Sequence, residues 1–344
     1  MNINILSDLQ VETLRQLIDQ AQHIVICCHK SPDGDAIGSS LGWADYLRSM
    51  GKNPFIAVPD AFPDFLRWMP FVDRIVRYDK HKERVEEAFR NADLIFCLDF
   101  NTSARLMEMQ RVFDEATAPK VLIDHHLSPD VETALSVSRP DMSSTCEIIF
   151  RIIWQLGGFE LMTRYGAVSI YCGMMTDTGG FTYNSSSSEI FYIISQLLTK
   201  KFDKDKIYRN VYNNFSEWSI RLRGYVMSQK LNVMPYCHAA YFAITKQEMK
   251  RFHFIKGDAE GLVNEPLRIK GIRLSISLRE DTEKENTVWV SLRSVDHFYC
   301  NELAERFFNG GGHPNAAGGH LYCSMEEAER ITLDAIKSFA STFG

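Results

Sequence analysis

Long apolar runs are missing from this sequence. The longest uncharged, mostly apolar stretch, Tyr165 to Thr176, falls well short of the ~20 residues that a membrane-spanning helix needs, so no membrane partner is expected. The opening residues, MNINILSDLQVETLRQ, have no basic n-region and no small-residue cleavage site, which argues against a secretory signal. Eight cysteines are present, but none forms a CxxC pair or a zinc-finger spacing. Most sit inside apolar runs, and we read them as reduced core thiols of a cytoplasmic protein. An excess of basic charge is also missing, the net charge being −6. Such a chain does not coat long duplex nucleic acid by bulk attraction, so any polyphosphate ligand must be met by a local patch or by metal ions. There is no internal repeat and no low-complexity tract beyond Ser185–Ser188. With 45% hydrophobic and 24% charged residues the balance is ordinary, and it leaves little room for disorder.

What is present is an alternation of short apolar runs and helical patterns, the signature of a parallel α/β sheet. At roughly 150 residues per domain, 344 residues point to about two domains. Strands are expected at Ile24–Cys28, Phe55–Val58, Leu94–Leu98 and Val121–Ile123. Helices are expected over Ala36–Met50, stopped by Gly51, and over Ser144–Leu156, where Ser144 and Glu147 stand at capping-box spacing. A further apolar run, Ala167–Met175, leads into Thr-Asp-Thr-Gly-Gly. From about Ser187 the texture changes to a helix and a charged hinge. The second half then offers strands at Ala239–Thr245, Ile272–Leu278, Val288–Leu292 and near Leu321, with helices near 246–253, 299–308 and 325–340. The expected organisation is a catalytic domain over 1–186, a helical linker over 187–225 and a smaller α+β domain over 226–344.

The apolar runs of the first half are informative for the residues at their ends. The first runs into His29, Asp33 and Asp35, the third into Asp99, the fourth into Asp124, His125 and His126, and the later one into Asp177. In open parallel sheets, ligands bind outside the carboxyl ends of the strands. A single Asp after a strand is ordinarily a helix cap or turn former, and Asp35 alone would be read that way. Five acids and three histidines on one rim differ from that, because clustered carboxylates repel unless cations hold them. Oxygen ligands with imidazole suit Mn²⁺ first, with Mg²⁺ or Zn²⁺ as alternatives. Asp33, Asp35, Asp99 and Asp177 supply four negative charges, which matches two divalent ions of the kind that drive in-line displacement at phosphorus.

The second half carries Gly310-Gly-Gly-His-Pro-Asn-Ala-Ala-Gly-Gly319, read as a glycine-rich loop whose amides could turn toward an anion. His313 and Asn315 within it could hydrogen-bond phosphate or base. Arg293, at a strand end, and Arg105, six residues past Asp99, are candidates for phosphate contact through the guanidinium. The remaining histidines (23, 81, 238, 253, 297 and 320), the five tryptophans and the thirteen methionines have no spacing that marks a site, so core or structural roles are expected.

These residues carry a family resemblance. HKSPDGD, the Asp of CLDF, IDHH and MMTDTGGF resemble the four motifs of the DHH phosphoesterases, and SLRS followed by GGGHPNAAGG resembles the DHHA1 domain. Their order is similar to that of the NrnA-like nanoRNases and pAp phosphatases. The resemblance implies an active site in the cleft between the two domains of a homodimeric enzyme. One metal would sit on His29, Asp33 and Asp99, and a second on Asp35, Asp99, His125 and Asp177, with Asp99 bridging. Asp124 would orient the histidine pair, His126 would lie at the scissile phosphate, and Arg293, Gly311, Gly312, His313 and Asn315 would hold substrate. The implied activity is metal-dependent hydrolysis of short oligoribonucleotides, of 3'-phosphoadenosine 5'-phosphate (pAp), or of linear dinucleotides such as pApA. A cyclic dinucleotide phosphodiesterase, an exopolyphosphatase and a non-enzymatic nucleotide sensor are the alternatives.

Overall fold

The apolar runs of the first half are buried on both faces, as strands of a parallel sheet must be when helices cover it on each side. The computed structural model describes residues 1–255 and 257–343, so the end of the expected second domain, Gly344, lies outside it. The chain divides into two compact units, Met1–Asn214 and Phe215–Gly344. The elements of the first unit are α1 (Asp8–Gln20), β1 (Ile24–Cys27), α2 (Gly34–Ser49), β2 (Phe55–Val58), β3 (Ile75–Arg77), α3 (Lys82–Asn91), β4 (Leu94–Leu98), α4 (Gln110–Glu115), β5 (Lys120–Asp124), β6 (Leu135–Ser138), α5 (Thr145–Gln155), α6 (Arg164–Asp177), α7 (Ser188–Leu198) and α8 (Lys204–Tyr212). The six strands are all parallel, in the order β3-β2-β1-β4-β5-β6. Ile24, Ile26 and Phe96 face one core with Trp43, while Val25, Cys27, Ile95 and Cys97 face the other with Phe89 and Phe113. All eight cysteines are free, and six of them are buried.

Three local readings change. The apolar run Ala167–Met175 lies inside the helix α6, so Asp177 arrives from a helix C-terminus rather than from a strand. Ser144 caps α5 as expected, its hydroxyl accepting from the Glu147 amide, but the Glu147 carboxylate does not complete a capping box. It takes hydrogen bonds from Ser143 N (2.9 Å), Ser143 Oγ (2.6 Å) and Arg151 Nη2 (2.6 Å), all in the interior. The short edge strands β3 and β6 add to the four strands expected from sequence.

Helices α2 and α6 cross in close contact because glycines face each other. A Cβ on Gly38 would stand 2.6 Å from the Ser169 carbonyl oxygen and 3.1 Å from Gly173 Cα. One on Gly173 would run into Cys146 Sγ of α5. This contact draws together the N-terminus of α2, which carries Asp35, and the C-terminus of α6, which carries Asp177.

The second unit contains α9 (Glu217–Tyr225), β7 (Asn232–Met234), β8 (Ala239–Ile244), α10 (Lys246–Arg251), β9 (Leu274–Glu280), β10 (Val288–Ser294), α11 (Asn301–Phe307), β11 (Gly311–His313), β12 (Ala316–Leu321) and α12 (Met325–Phe343). Its sheet runs β11-β12-β10-β9-β8-β7, antiparallel throughout except for the parallel pair β8–β9. Strand β10 alternates buried and accessible residues, as a sheet packed on one side requires. Its inner residues Val288, Val290 and Leu292 meet Leu303, Ile336 and Phe339 of the two helices that follow. The expected glycine-rich loop is instead the hairpin β11–β12. Glycine is needed there for backbone approach: a Cβ on Gly310 would overlap the Gly318 carbonyl, and one on Gly319 the Phe308 carbonyl.

Candidate metal centre

In the first sheet the chain leaves β1 toward β2 and β3 on one side, then returns to place β4, β5 and β6 on the other. The switch point lies between β1 and β4, where an open parallel sheet leaves a crevice at its carboxyl edge. His29 follows β1 and Asp99 follows β4, so the two flank that crevice. Asp99 has φ of +64°, a left-handed conformation that Asp tolerates better than most residues and that recurs at functional sites.

The carboxylates are fixed by helix ends. Asp33 caps its own helix, α2, with Oδ1 accepting from Asp35 N and Ala36 N at 3.0 Å each. Asp35, expected among the metal ligands, meets the start of a different helix. Its two oxygens accept from the first amides of α5, Thr145 N at 2.6 Å and Cys146 N at 2.8 Å. Thr145, which sequence reasoning did not single out, also donates its hydroxyl to Asp99 Oδ1 at 3.1 Å. One residue at the head of α5 thus orients two buried carboxylates.

Around these, His29 Nε2 lies 3.4 Å from Asp99 Oδ2 and 3.9 Å from Asp33 Oδ2. His125 Nε2 lies 3.5 Å from Asp99 Oδ1, 3.5 Å from Asp177 Oδ2 and 3.8 Å from Asp35 Oδ2. Those separations are at or beyond the limit of a hydrogen bond. Two ligands that each stand 2.0–2.2 Å from one ion are themselves roughly 3.0–3.6 Å apart at tetrahedral or octahedral angles. Among the candidate ligand groups are His29–Asp33–Asp99 and Asp35–His125–Asp177, with Asp99 within reach of both histidines, and Asp99–Asp124–His126 is another. His126 behaves differently: its Nδ1 is hydrogen-bonded to Asp124 Oδ1 at 2.7 Å. The fully buried Asp124 keeps Oδ2 without a hydrogen-bond partner among the described residues.

The electrostatics agree with a site built for cations. Burial, with Asp99 next to it, pushes Asp35 up to about 7. Burial, together with Asp33 and Asp124, pushes Asp99 well above the usual carboxylate range. Burial also lowers His29, His125 and His126, which keeps the imidazoles neutral as metal ligation requires. His29 donates Nδ1–H to the Lys30 carbonyl (2.8 Å), the kind of partner that leaves Nε2 as the ligating atom. Half-buried Arg105, on the 3₁₀ turn Ser103–Met109, supplies positive charge felt at His29, Asp99 and His126. Oxygen and imidazole donors, most of them buried, with a carboxylate oxygen orphaned, fit divalent ions.

The second unit places its candidates within one corner of the sheet. Arg293 pairs with Ala316 across β10 and β12, and His313 pairs with the same Ala316 across the hairpin. Arg293 Nη1 donates to the Leu292 carbonyl at 2.9 Å, so the guanidinium is partly committed. Asn315 Nδ2 donates to Ser294 Oγ (3.0 Å) and to the Asp296 carbonyl (3.2 Å), which commits its amide hydrogens to the turn. Gly311 is partly accessible and Gly312 exposed.

A parallel domain with an acid–histidine crevice, followed by a mixed-sheet domain, defines a class, and the comparisons agree with it. Residues 23–174 match the DHH family, N-terminal domain, and residues 240–342 match the DHHA1 domain. The chain belongs to the DHH family of phosphoesterases, hydrolases of phosphoester bonds, in its DHHA1-bearing branch. An exopolyphosphatase-related protein from Bacteroides fragilis has the same structure, with a TM-score of 0.94 at 47% identity over 98% of both chains. The bifunctional oligoribonuclease and PAP phosphatase NrnA of Bacillus subtilis is 28% identical over 90% of this chain and 93% of its own length. The cyclic-di-AMP phosphodiesterase PdeA of Listeria monocytogenes is 24% identical over 95% of this chain but only 49% of its own length.

Proposed function

We propose that this protein is a two-metal hydrolase of short phosphodiesters and phosphomonoesters, acting on oligoribonucleotides of a few residues and on pAp or linear dinucleotides such as pApA. The observation that carries the reading is the position of Asp99. Its two oxygens lie 3.4 Å from His29 Nε2 and 3.5 Å from His125 Nε2, one oxygen toward each histidine. His29, Asp33 and Asp99 would hold one divalent ion, and Asp35, Asp99, His125 and Asp177 the other, with Mn²⁺ favoured among Mn²⁺, Mg²⁺ and Zn²⁺. When bound, such a pair supplies Lewis acidity toward water and neutralises charge at phosphorus.

The side chains do the rest. Asp124 holds His126 by its Nδ1, and His126 would lie at the scissile phosphate. Arg105 offsets negative charge at the crevice. Recognition belongs to the second unit: Arg293 contacts phosphate, His313 and the amides of Gly311 and Gly312 contact the nucleotide, and Asn315 positions the hairpin turn. The similarity to NrnA, 28% identical over 90% of this chain, supports this substrate class.

A second reading, exopolyphosphatase, is kept because the relative at 47% identity is described as exopolyphosphatase-related. One panel separates them: RNA dimers to hexamers, pAp, cyclic di-AMP and inorganic polyphosphate, each with Mn²⁺ and with Mg²⁺. Faster turnover of RNA dimers or pAp supports the first reading, and faster turnover of polyphosphate replaces it with the second.

A further inference from the structure

We propose that the accessible part of the second sheet, at β10 and β12, is a base-stacking platform, built on Trp289 and flanked by His320 and Tyr322, that takes a nucleotide base beyond the one held near Arg293. The proposal rests on the nucleotide reading above and extends it to the length of substrate.

The platform follows from strand register. Trp289, Ser291 and Arg293 alternate with the buried residues of β10 and so share its accessible face. Across the antiparallel pairs this face has three rows. The first is Arg279, Trp289 and His320, the second Ser277, Ser291 and Gly318, and the third Ser275, Arg293 and Ala316. The outer row is aromatic and cationic, the middle row has only small side chains, and the inner row carries the candidate phosphate grip. Three small residues in the middle leave a shallow trough between a ring and a guanidinium. Trp289 and Arg293 are four residues apart, roughly 13 Å along an extended strand. About one or two further nucleotides of a splayed single strand can cover that distance, given the sites of ~4 nucleotides or more that single-strand binders use.

The rings are exposed yet ordered. Trp289 was expected to pack in the core and His320 to be structural, but Trp289 is 43% exposed and Tyr322 is 74% exposed. The Trp289 and His320 ring centres lie 5.9 Å apart at 56°, and those of His320 and Tyr322 lie 5.0 Å apart at 72°, so the indole offers the stacking face and the other two rings flank it. The indole is pinned by Nε1 donating to Asp281 Oδ2 at 2.6 Å. A rigid, solvent-facing indole loses little freedom on binding, which is what a stacking surface needs. The occupant is specified by charge as well. Asp281 beside the indole repels phosphate, so the platform meets the face of a base while the backbone runs toward Arg293. A stacked base is the ligand whose recognition tolerates any sequence, because every base has a π-face.

The test is equilibrium binding of fluorescent oligoadenylates to the full-length protein in EDTA, which prevents turnover. The probes are a dimer, a pentamer, and a pentamer whose distal nucleotides are abasic. The wild type should bind the intact pentamer more tightly than the abasic one. Trp289→Ala should lower the pentamer-to-dimer affinity ratio roughly tenfold, within the range measured for stacked bases. Trp289→Phe should retain most of that ratio, and neither variant should alter binding of the abasic pentamer relative to the dimer. A Trp289→Ala protein with an unchanged ratio overturns the platform, as does an equal loss on intact and abasic pentamers. Failure of the underlying reading looks different: the wild type would turn over polyphosphate in preference to RNA in the assay panel above.

Discussion

The two sheets present chemistry in different ways. In the parallel sheet all strands end on one edge, so His29, Asp99 and the Asp124–His126 segment converge on a point although they are far apart in sequence. In the mixed sheet adjacent strands, except β8 and β9, run in opposite directions, so no edge collects them all. Functional candidates there lie in rows along one face, from Trp289 to Arg293 and across to His320 and Ala316. A point suits charge density and reaction at one atom, whereas a face suits recognition of an extended ligand. Burial follows the division in part: Asp35, Asp99 and His125 are at most 4% exposed, whereas Asp33 is exposed and Asp177 and the second unit's candidates are all accessible to some degree.

The largest expected effect therefore comes from the point. Asp99→Asn keeps a side chain that tolerates the left-handed backbone, and so tests the charge rather than the fold. It should lower kcat/KM by at least about a thousandfold, because it weakens both candidate ion sites at once. Calorimetry should show weaker Mn²⁺ occupancy at both. Near-normal turnover would remove the two-ion assignment.

The histidine pair comes next. His125→Ala removes a ligand and should abolish one ion site, whereas Asp124→Asn disturbs only the partner of His126. For such a supporting contact a loss of roughly 10–100-fold in activity is expected. Metal analysis should find less ion in His125→Ala than in His126→Ala. If the two lose metal equally, the division between ligand and phosphate contact is wrong.

The point is legible from sequence and the face is not, because the two are built differently. Strands β1 and β4 and the Val121–Ile123 stretch of β5 are apolar runs, buried on both sides, and each leads into its chemistry. Strands β3 and β6, at the sheet edges, read Ile-Val-Arg and Leu-Ser-Val-Ser, so polar residues interrupt any apolar run. The role of Thr145 depends on α5 pointing its first amides at Asp35, a tertiary fact with no local signal. Gly34, Gly38 and Gly42 did offer one, a small residue every fourth position, and it marks the face that meets α6. The run Gly310–Gly319 reads as a loop because glycine favours turns, yet its pairing is decided by a neighbouring strand. Trp289 looks like any core tryptophan until register shows which way its strand faces.

A smaller effect is expected on the face itself. Arg293→Ala removes a charge-assisted contact and should raise KM for pAp and RNA dimers about tenfold, the equivalent of a hydrogen bond to a charged group. The check is the same variant on a small chromogenic phosphodiester. A selective loss on nucleotides supports recognition by the face; an equal loss on both substrates would mean that Arg293 supports the fold.

The smallest effect is one of stability, and it asks whether electrostatic strain is confined to the first unit. Without metal, Asp35 is held up to about 7 and Asp99 well above its ordinary range, so the folded state retains protons that the unfolded chain would release. Where the folded state binds more protons, stability falls as pH rises. The lowered histidines act in the opposite sense, but only below their ordinary value of about 6.5, since above it they are neutral in both states. Between about pH 6.5 and 8 the carboxylates are left to dominate. In the second unit Glu248, Asp281 and Glu327 are all held low, so what they contribute is lost only as pH falls below the ordinary carboxylate range. Hydrogen exchange in EDTA should thus show α5 and α6 opening more readily at pH 8 than at 6.5, while β9 and β10 stay level. Added Mn²⁺ should reverse the trend in the first unit by supplying the charge that the protons had supplied. A pH response of equal size in both units would show that the strain is not held at the crevice.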